Sequence, residues 1–353
     1  MMEEGFRKPF DFTRGPLYRL EMLKRGEEDH VLAFTIHHAV ADGWTLGAFV
    51  QDLSTAYILG VRELGVDLGK VHGIRESLTT LAMTYSQWGA SERKRWQPAE
   101  IDRHAEFWKE RLMGSRRLFD KIGAGKDRGS PLQKWVTSIP EEIANASREL
   151  ARDSGSTLFS TLLTVFQVTL NRWLDAEDIV VGTPIAHRNK AAVAETMGYF
   201  SGVVPLRGTI DRSETYSDTL KRVHAETMDA FAHAMPFAEL AKALGETSTR
   251  EQHAVFDTRF ALQNHPVPDI ALPGVATKLR TVSTGTARFD LGCELTEDEG
   301  GFELVWLFRE SILPEADLRE LDGLFRRILG VVCDQPDVQL SAITISVSYT
   351  HLR

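Results

Sequence analysis

Two adjacent histidines, His37 and His38, are followed after three residues by Asp42 and Gly43 in the stretch "HHAVADGW". An imidazole changes charge near neutral pH and can therefore accept or release a proton. The carboxylate of Asp42 can orient an imidazole or brace the loop by pairing with a distant arginine, and we favour the brace. Glycine allows a sharp turn that a Cβ would hinder. The pattern indicates proton transfer, or orientation of a nucleophile brought by a substrate.

Other chemistries lack residues to support them. The sequence contains no Ser or Cys nucleophile in a recognisable elbow, no second metal-ligand cluster and no phosphate-cradling Gly loop. Cys293 and Cys333 are the two cysteines, and neither has a paired spacing. The sequence therefore predicts no bound metal and no disulfide framework.

Two short strands must position the histidines. Residues 17–24 and 30–37 have strand character, and the acidic turn between them predicts a hairpin. Adjacent residues at a strand end point in opposite directions, so we expect His37 to face the interior and His38 a cleft. Apolar residues at spacings of three and four then predict an amphipathic helix from Trp44 onward.

The remaining chain alternates helices with strands, which predicts an α/β protein with a mixed sheet in each of two lobes. We place the lobes at 1–113 and 134–345, joined by a Gly-rich, basic linker at 114–133. We expect the tail at 346–353 to be non-native. Predicted strands lie in "KWVTSI", "DIVVGTPI", "FDTRFALQ", "KLRTVS", "FDLGCEL" and "FELVWLF".

Charge and hydropathy exclude several classes of partner. The 353 residues include 41 Lys and Arg against 50 Asp and Glu, and the net charge of −9 gives nucleic acids and anionic membranes no electrostatic reason to bind. The N-terminus has no signal-peptide pattern. The most apolar long run, "LFSTLLTVFQVTLNRWL", contains Thr, Gln, Asn and Arg, which predicts a buried helix and not a membrane span. We predict a cytoplasmic protein.

The stretch "HHAVADGW" resembles the HHxxxDG signature of the superfamily that contains chloramphenicol acetyltransferase and the condensation domains of nonribosomal peptide synthetases. In order, further segments resemble successive condensation-domain motifs: "KPFDFTRGPLYRLEMLK", "MTYSQWGASERKRW", "DIVVGTPIAHRN", "MGYFSGVVPLR", "HAMPFAELAKAL" and "FDTRFALQNHP". The resemblance covers residues 7–340. It implies two chloramphenicol-acetyltransferase-like lobes, each a mixed sheet flanked by helices, with an active-site tunnel between them.

The resemblance also implies roles for individual residues. His38 is the catalytic residue, as base or as positioner of the acceptor amine, and the backbone N–H of Gly43 stabilises the oxyanion. His37, Asp42 and Arg188 are structural at the active site, with Asp42 and Arg188 forming an ion pair.

Two further positions are candidates for the tunnel. These are Trp44, for which core packing is the better explanation, and Asn264, which an ordinary turn explains equally well.

The implied activity is amide-bond formation between a carrier-bound acyl or peptidyl thioester and the amine of a carrier-bound aminoacyl acceptor. No cofactor binds directly, because both substrates arrive on 4'-phosphopantetheine arms of donor and acceptor peptidyl carrier proteins. An adenylation domain is expected next to this region in the full-length chain.

Two alternatives stay open: starter-type N-acylation with a fatty acyl donor, and a noncatalytic recruitment module. The family's segment before "PFD" is missing, so we expect an N-terminally truncated fragment that can be inactive. Ser201 and Gly202 stand where Val-Asn is usual in the family.

Overall fold

Helices and strands alternate along the chain in the computed structural model, which describes residues 8–62, 78, 80–188, 190–246, 255–263, 270, 272–280, 282, 288–298 and 300–344. The helices are α1 (Gly43–Arg62), α2 (Tyr85–Arg95), α3 (Pro98–Leu112), α4 (Glu141–Asp153), α5 (Leu158–Leu174), α6 (Tyr216–Ala232), α7 (Phe237–Ala243) and α8 (Glu315–Asp334). The strands are β1 (Tyr18–Lys24), β2 (His30–Ile36), β3 (Gln133–Ile139), β4 (Asp178–Ala186), β5 (Ser201–Thr209), β6 (Thr258–Gln263), β7 (Leu291–Asp298) and β8 (Gly301–Phe308). Among the described helices, none is long and apolar enough to cross a membrane.

The chain divides into two compact units. The first draws its described residues from 1–97, 186–201 and 265–284, and the second from 98–185, 202–264 and 285–353. This division differs from the predicted lobes, because α3 and the predicted linker at 114–133 belong to the second unit. The segment 186–201, which contains Arg188, belongs to the first unit although the strands on either side of it lie largely in the second.

The first unit is built on the predicted hairpin. Strands β1 and β2 pair antiparallel, with Tyr18 opposite Ile36 and Lys24 opposite His30. Phe34 on β2 stacks on Phe49 of α1 with ring centres 4.0 Å apart, which fixes the helix against the sheet. The described residues of this unit form an antiparallel pair where we predicted a mixed sheet.

The second unit contains the mixed sheet. Its six strands lie in the order β3-β8-β7-β6-β4-β5. Strands β3, β8 and β7 are joined antiparallel, whereas β7, β6 and β4 are joined parallel. Strand β5 was not among the predicted strands. It contains Pro205 and lies at the edge of the sheet, where proline is tolerated because no neighbour needs its missing N–H.

Helix α5 occupies the core of this unit. Residues 160–171 and Trp173 are buried, which agrees with the prediction of a buried helix for this apolar run. Thr157 caps its start by accepting the N–H of Ser160 at 3.1 Å. Phe166 of α5 stacks on Phe260 of β6 at 5.5 Å between ring centres, joining helix and sheet.

One predicted strand is wrong in the part that can be compared. Residues 278–280 and 282, within the predicted strand "KLRTVS", have no strand structure. Leu279 is 42% and Val282 is 65% exposed. The apolar residues of this stretch therefore cover no half-buried sheet face here, and without such a face residues that favour strands do not make a strand.

Candidate functional site

The two adjacent histidines have different surroundings where the chain leaves β2. His37 is half-buried, its ring lies edge-on to Phe12 with centres 4.7 Å apart, and its Nδ1 accepts the N–H of Ala39 at 3.0 Å. His38 is exposed, and its Nδ1 lies 2.5 Å from the carbonyl oxygen of Ala41. His37 therefore fixes the single 3-10 turn that follows it, whereas His38 presents its ring outside the core.

The hydrogen bond of His38 determines which ring nitrogen carries the proton. A carbonyl oxygen only accepts hydrogen bonds, so Nδ1 of His38 is the donor to Ala41. A neutral imidazole has one N–H, which leaves Nε2 of His38 as an unprotonated acceptor. No hydrogen bond from the described residues occupies Nε2. The ring can therefore take a proton or a hydrogen bond from a bound nucleophile.

Asp42 is a buried helix cap, with a fully buried side chain. Its Oδ1 accepts the N–H of Thr45 at 3.0 Å, which satisfies one of the free donors at the start of α1. Its Oδ2 accepts the N–H of Phe200 at 3.1 Å. The carboxylate is thus committed to backbone donors from two parts of the first unit, and it does not hydrogen-bond His38.

Arg188 is the arginine that meets Asp42, as we predicted from the resemblance. One guanidinium nitrogen lies 2.9 Å from Oδ1 of Asp42, and the Arg188 side chain is 4% exposed. Its other terminal nitrogen donates to the carbonyl oxygens of Val193 and Thr196 at 2.7 and 2.8 Å. The guanidinium also lies 4.0 Å from the ring centre of Phe200. Breaking such a buried pair leaves a charge without its partner, so the pair holds the loop ends in one arrangement.

The residue before this arginine stays neutral. Burial lowers the pKa of His187, Glu92 opposes this by raising it, and Arg95 lowers it further. A neutral His187 adds no second positive charge beside Arg188.

Thr45 is a site residue that the sequence reasoning missed, and its partner is Gly198. The Thr45 hydroxyl lies 2.9 Å from the Gly198 carbonyl oxygen, to which it can donate, and it accepts the Gly198 N–H at 3.1 Å. A Cβ on Gly198 would lie 2.5 Å from the ring of Tyr85, so glycine is needed there. The spacing Asp42-x-x-Thr45 is a helix-cap spacing and is the signal that could have identified Thr45.

The remaining predicted residues have simpler positions. Gly43 is exposed and is the first residue of α1, so its N–H is among those that have no partner within the helix. Trp44 follows it and is half-buried. Asn264 lies outside the described residues. The structure brings His37, His38, Asp42, Gly43 and Arg188 together in the first unit.

These observations define a class of protein. It has an α/β fold whose first unit holds a His-His-x-x-x-Asp-Gly turn at the start of a helix. The family model for the condensation domain matches residues 1–350. The chain belongs to the condensation domain family.

Its relatives are large synthetases. The chain is 26% identical over 351 residues to chondramide synthase cmdD of Chondromyces crocatus, a match that covers 98% of this chain and 9% of that protein. It is 27% identical over 373 residues to a dimodular nonribosomal peptide synthase of Bacillus subtilis (strain 168), covering 99% of this chain and 15% of that protein. The chain thus spans a small part of the length of each of these relatives.

Solved structures confirm the fold class. The X-domain from teicoplanin biosynthesis matches with a TM-score of 0.79 and 21% identity, over 97% of this chain and 77% of that one. The first condensation domain of the calcium-dependent antibiotic synthetase matches with a TM-score of 0.76 and 20% identity, over 98% of this chain and 74% of that one. The fold is the chloramphenicol-acetyltransferase-like α/β fold of condensation domains.

Proposed function

We propose that this chain forms an amide bond between a carrier-bound acyl or peptidyl thioester and the amine of a carrier-bound aminoacyl acceptor. The observation that supports this most directly is the hydrogen bond from His38 Nδ1 to the Ala41 carbonyl oxygen at 2.5 Å. It leaves Nε2 of an exposed imidazole free to receive a hydrogen from an amine. Membership in the condensation domain family supports the same reaction class.

The reaction needs one proton carrier and no nucleophile from the protein. The acceptor amine nitrogen attacks the carbonyl carbon of the donor thioester, so that a C–N bond forms and the C–S bond breaks. The proton that leaves the nitrogen passes to Nε2 of His38 and then to the departing thiolate. His38 acts on the amine as base or as positioner, and alignment of two tethered substrates accelerates the reaction in either case.

Negative charge develops on the thioester oxygen during this attack, and the start of α1 is suited to stabilise it. Gly43 is the first residue of this 20-residue helix and is exposed. Backbone N–H groups at a helix start carry partial positive charge, which favours an anion. Because glycine has no Cβ, the substrate oxygen can approach the Gly43 N–H closely.

The substrates and partners follow from this reaction. Both substrates are thioesters on 4'-phosphopantetheine arms, so a donor and an acceptor peptidyl carrier protein must bind. The chain itself holds no cofactor in this proposal. An adenylation domain supplies the activated amino acid, as expected for a region that matches 9 to 15% of large synthetases.

The test supplies the chain with a donor carrier and an aminoacyl-loaded acceptor carrier and measures the acceptor-bound product by mass spectrometry. We expect His38→Ala to lower the rate of product formation by ~10²–10⁴-fold, because general base catalysis contributes that much. His30→Ala is the matched control, since His30 is an exposed histidine at the start of β2 and should leave the rate unchanged. Equal rates for wild type and His38→Ala would overturn the proposal.

Donor identity separates the alternatives. A product made from aminoacyl donors supports peptide-bond formation, whereas a product made from fatty acyl donors alone supports starter-type N-acylation. A noncatalytic recruitment role is the second candidate, favoured by the fold likeness to the X-domain, which was also solved as a complex with OxyB. That role gains support if folded wild type yields no product with either donor.

A further inference from the structure

Tyr199 lies against the ring of His38. Their ring centres are 5.2 Å apart and their planes meet at 85°, an edge-to-face contact. The hydrogen bond from Nδ1 to Ala41 also restrains the His38 ring. Rotation about the Cβ–Cγ bond of histidine is loosely restricted on its own, and a half-turn exchanges Nδ1 with Cδ2. A second ring beside His38 therefore restricts the rotation that would move Nε2 away.

Tyr199 is itself held in place from several sides. The hydroxyl of Tyr85 donates to the carbonyl oxygen of Tyr199 at 2.8 Å. Burial, then the neighbouring Tyr199 and Asp42, raise the pKa of Tyr85, so this hydroxyl keeps its proton near neutral pH. On either side of Tyr199, the N–H of Gly198 bonds to Thr45 and the N–H of Phe200 bonds to Asp42.

We propose that Tyr199 is a positioning residue that keeps His38 in the Nδ1-protonated orientation, with Nε2 directed at the acceptor amine. Its effect on catalysis rests on the proposed function of His38. Its effect on the ring of His38 rests on geometry alone, because Tyr199 and Ala41 contact the same imidazole. Tyr85 extends the arrangement, since it fixes the backbone from which the Tyr199 ring projects.

The first test reads the ring nitrogens of His38 directly. In chain labelled with ¹⁵N-histidine, the His38 signals are those lost in His38→Ala. We expect neutral His38 to be mainly the Nδ1–H tautomer in wild type and in Tyr199→Phe, which keeps the ring. Tyr199→Ala should raise the Nε2–H population, and Tyr85→Phe should raise it less. A wild-type tautomer ratio in Tyr199→Ala would overturn the proposal.

The second test measures the effect on rate in the carrier-protein assay. We expect Tyr199→Ala to lower kcat by about 10-fold with KM unchanged, less than the ~100-fold that a 1 Å misplacement can cost. Tyr199→Phe should keep a kcat near wild type, a rescue that unspecific loss of packing would not predict. If wild type forms product but Tyr199→Ala keeps its kcat, the positioning role is wrong. If wild type forms no product while the tautomer shifts as expected, the positioning role stands and the proposed function fails.

Discussion

Two buried Asp–Arg pairs, one in each unit, have nearly the same chemistry. In the first unit, Arg188 lies 2.9 Å from Asp42, with side chains 4% and 0% exposed. In the second unit, Arg309 lies 3.0 Å from Asp290, with side chains 2% and 1% exposed. Each pair removes two full charges from water, which requires a partner and additional hydrogen bonds on both sides.

Their neighbours differ. Asp290 also accepts the Nε–H of Arg128 at 3.0 Å, and a further buried carboxylate, Asp257, lies beside it. Asp257 accepts the N–H groups of Leu118 and Phe119 at 3.1 and 2.6 Å. This cluster of Asp257, Asp290, Arg128 and Arg309 therefore fastens the chain around residue 118 to the sheet of the second unit.

The pair in the first unit instead lies at the turn that presents His38. Asp42 caps the helix whose first residue is Gly43, and its carboxylate accepts the N–H of Phe200, which fixes the segment that contains Tyr199. A buried ion pair is thus not in itself a sign of a functional site. The first pair differs because the exposed imidazole of His38 lies in the same turn, and its Nε2 takes no hydrogen bond from the described residues.

Asp42→Ala should have the largest effect on stability. It leaves the buried Arg188 without its carboxylate, which costs about 3–5 kcal/mol, and it removes a helix cap worth about 1 kcal/mol. We expect loss of soluble, folded protein at 37 °C, measured as soluble yield and as the midpoint of urea unfolding. The conservative control Asp42→Asn keeps a cap acceptor and should be less damaging. An unchanged unfolding midpoint in Asp42→Ala would show that the pair does not brace this loop.

Asp290→Asn should destabilise less, by about 3 kcal/mol, because asparagine keeps a side-chain oxygen that can still accept from Arg128 or Arg309. In this variant, the ring nitrogens of His38 show whether the two Asp–Arg pairs differ in function. We expect the His38 tautomer ratio to stay at its wild-type value in folded Asp290→Asn and to change in Asp42→Asn. A change of the same size in both variants would mean that the two pairs are not distinct in function.

Much of the local structure was predictable because it depends on local patterns. The hairpin of β1 and β2, the start of α1 and the buried helix α5 follow from alternation, helical spacing and apolar runs. Strand β5 was missed because Pro205 and the flanking glycines argue against a strand, and its place at the sheet edge is decided by tertiary structure.

The site was predictable to the extent that a motif encoded it. Asp42 and Arg188 are 146 residues apart, and resemblance to a family linked them where spacing could not. Asp290 and Arg309 have the same geometry but fall in no motif that was recognised, and charged residues in a sequence are ordinarily expected to be exposed. The contact of Tyr199 with His38 was missed because a side chain's neighbours across a loop leave no periodic signal.

Asp257→Asn should have the smallest of these effects, a change in how the free energy of unfolding depends on pH. It tests the electrostatics of the cluster in the second unit. Burial, with a contribution from Asp290, raises the pKa of Asp257 from 3.8 to about 6, against the opposing effect of the Phe119 N–H. The folded state therefore favours the neutral carboxyl, so its contribution to stability is fully present below pH 3.8 and is lost as the pH rises through about 6. Between pH 5 and pH 7 the wild type should lose about 1 kcal/mol relative to Asp257→Asn, which cannot titrate.

Urea unfolding of both proteins across that pH range measures this difference. A difference in the free energy of unfolding that is the same at every pH reports the backbone N–H that loses its carboxylate acceptor. The slope of that difference against pH reports the titration of Asp257 alone. A flat difference would mean that Asp257 is ionised throughout, with Arg128 and Arg309 offsetting two carboxylates. The two buried Asp–Arg pairs would then have more similar charge surroundings than the raised pKa of Asp257 indicates.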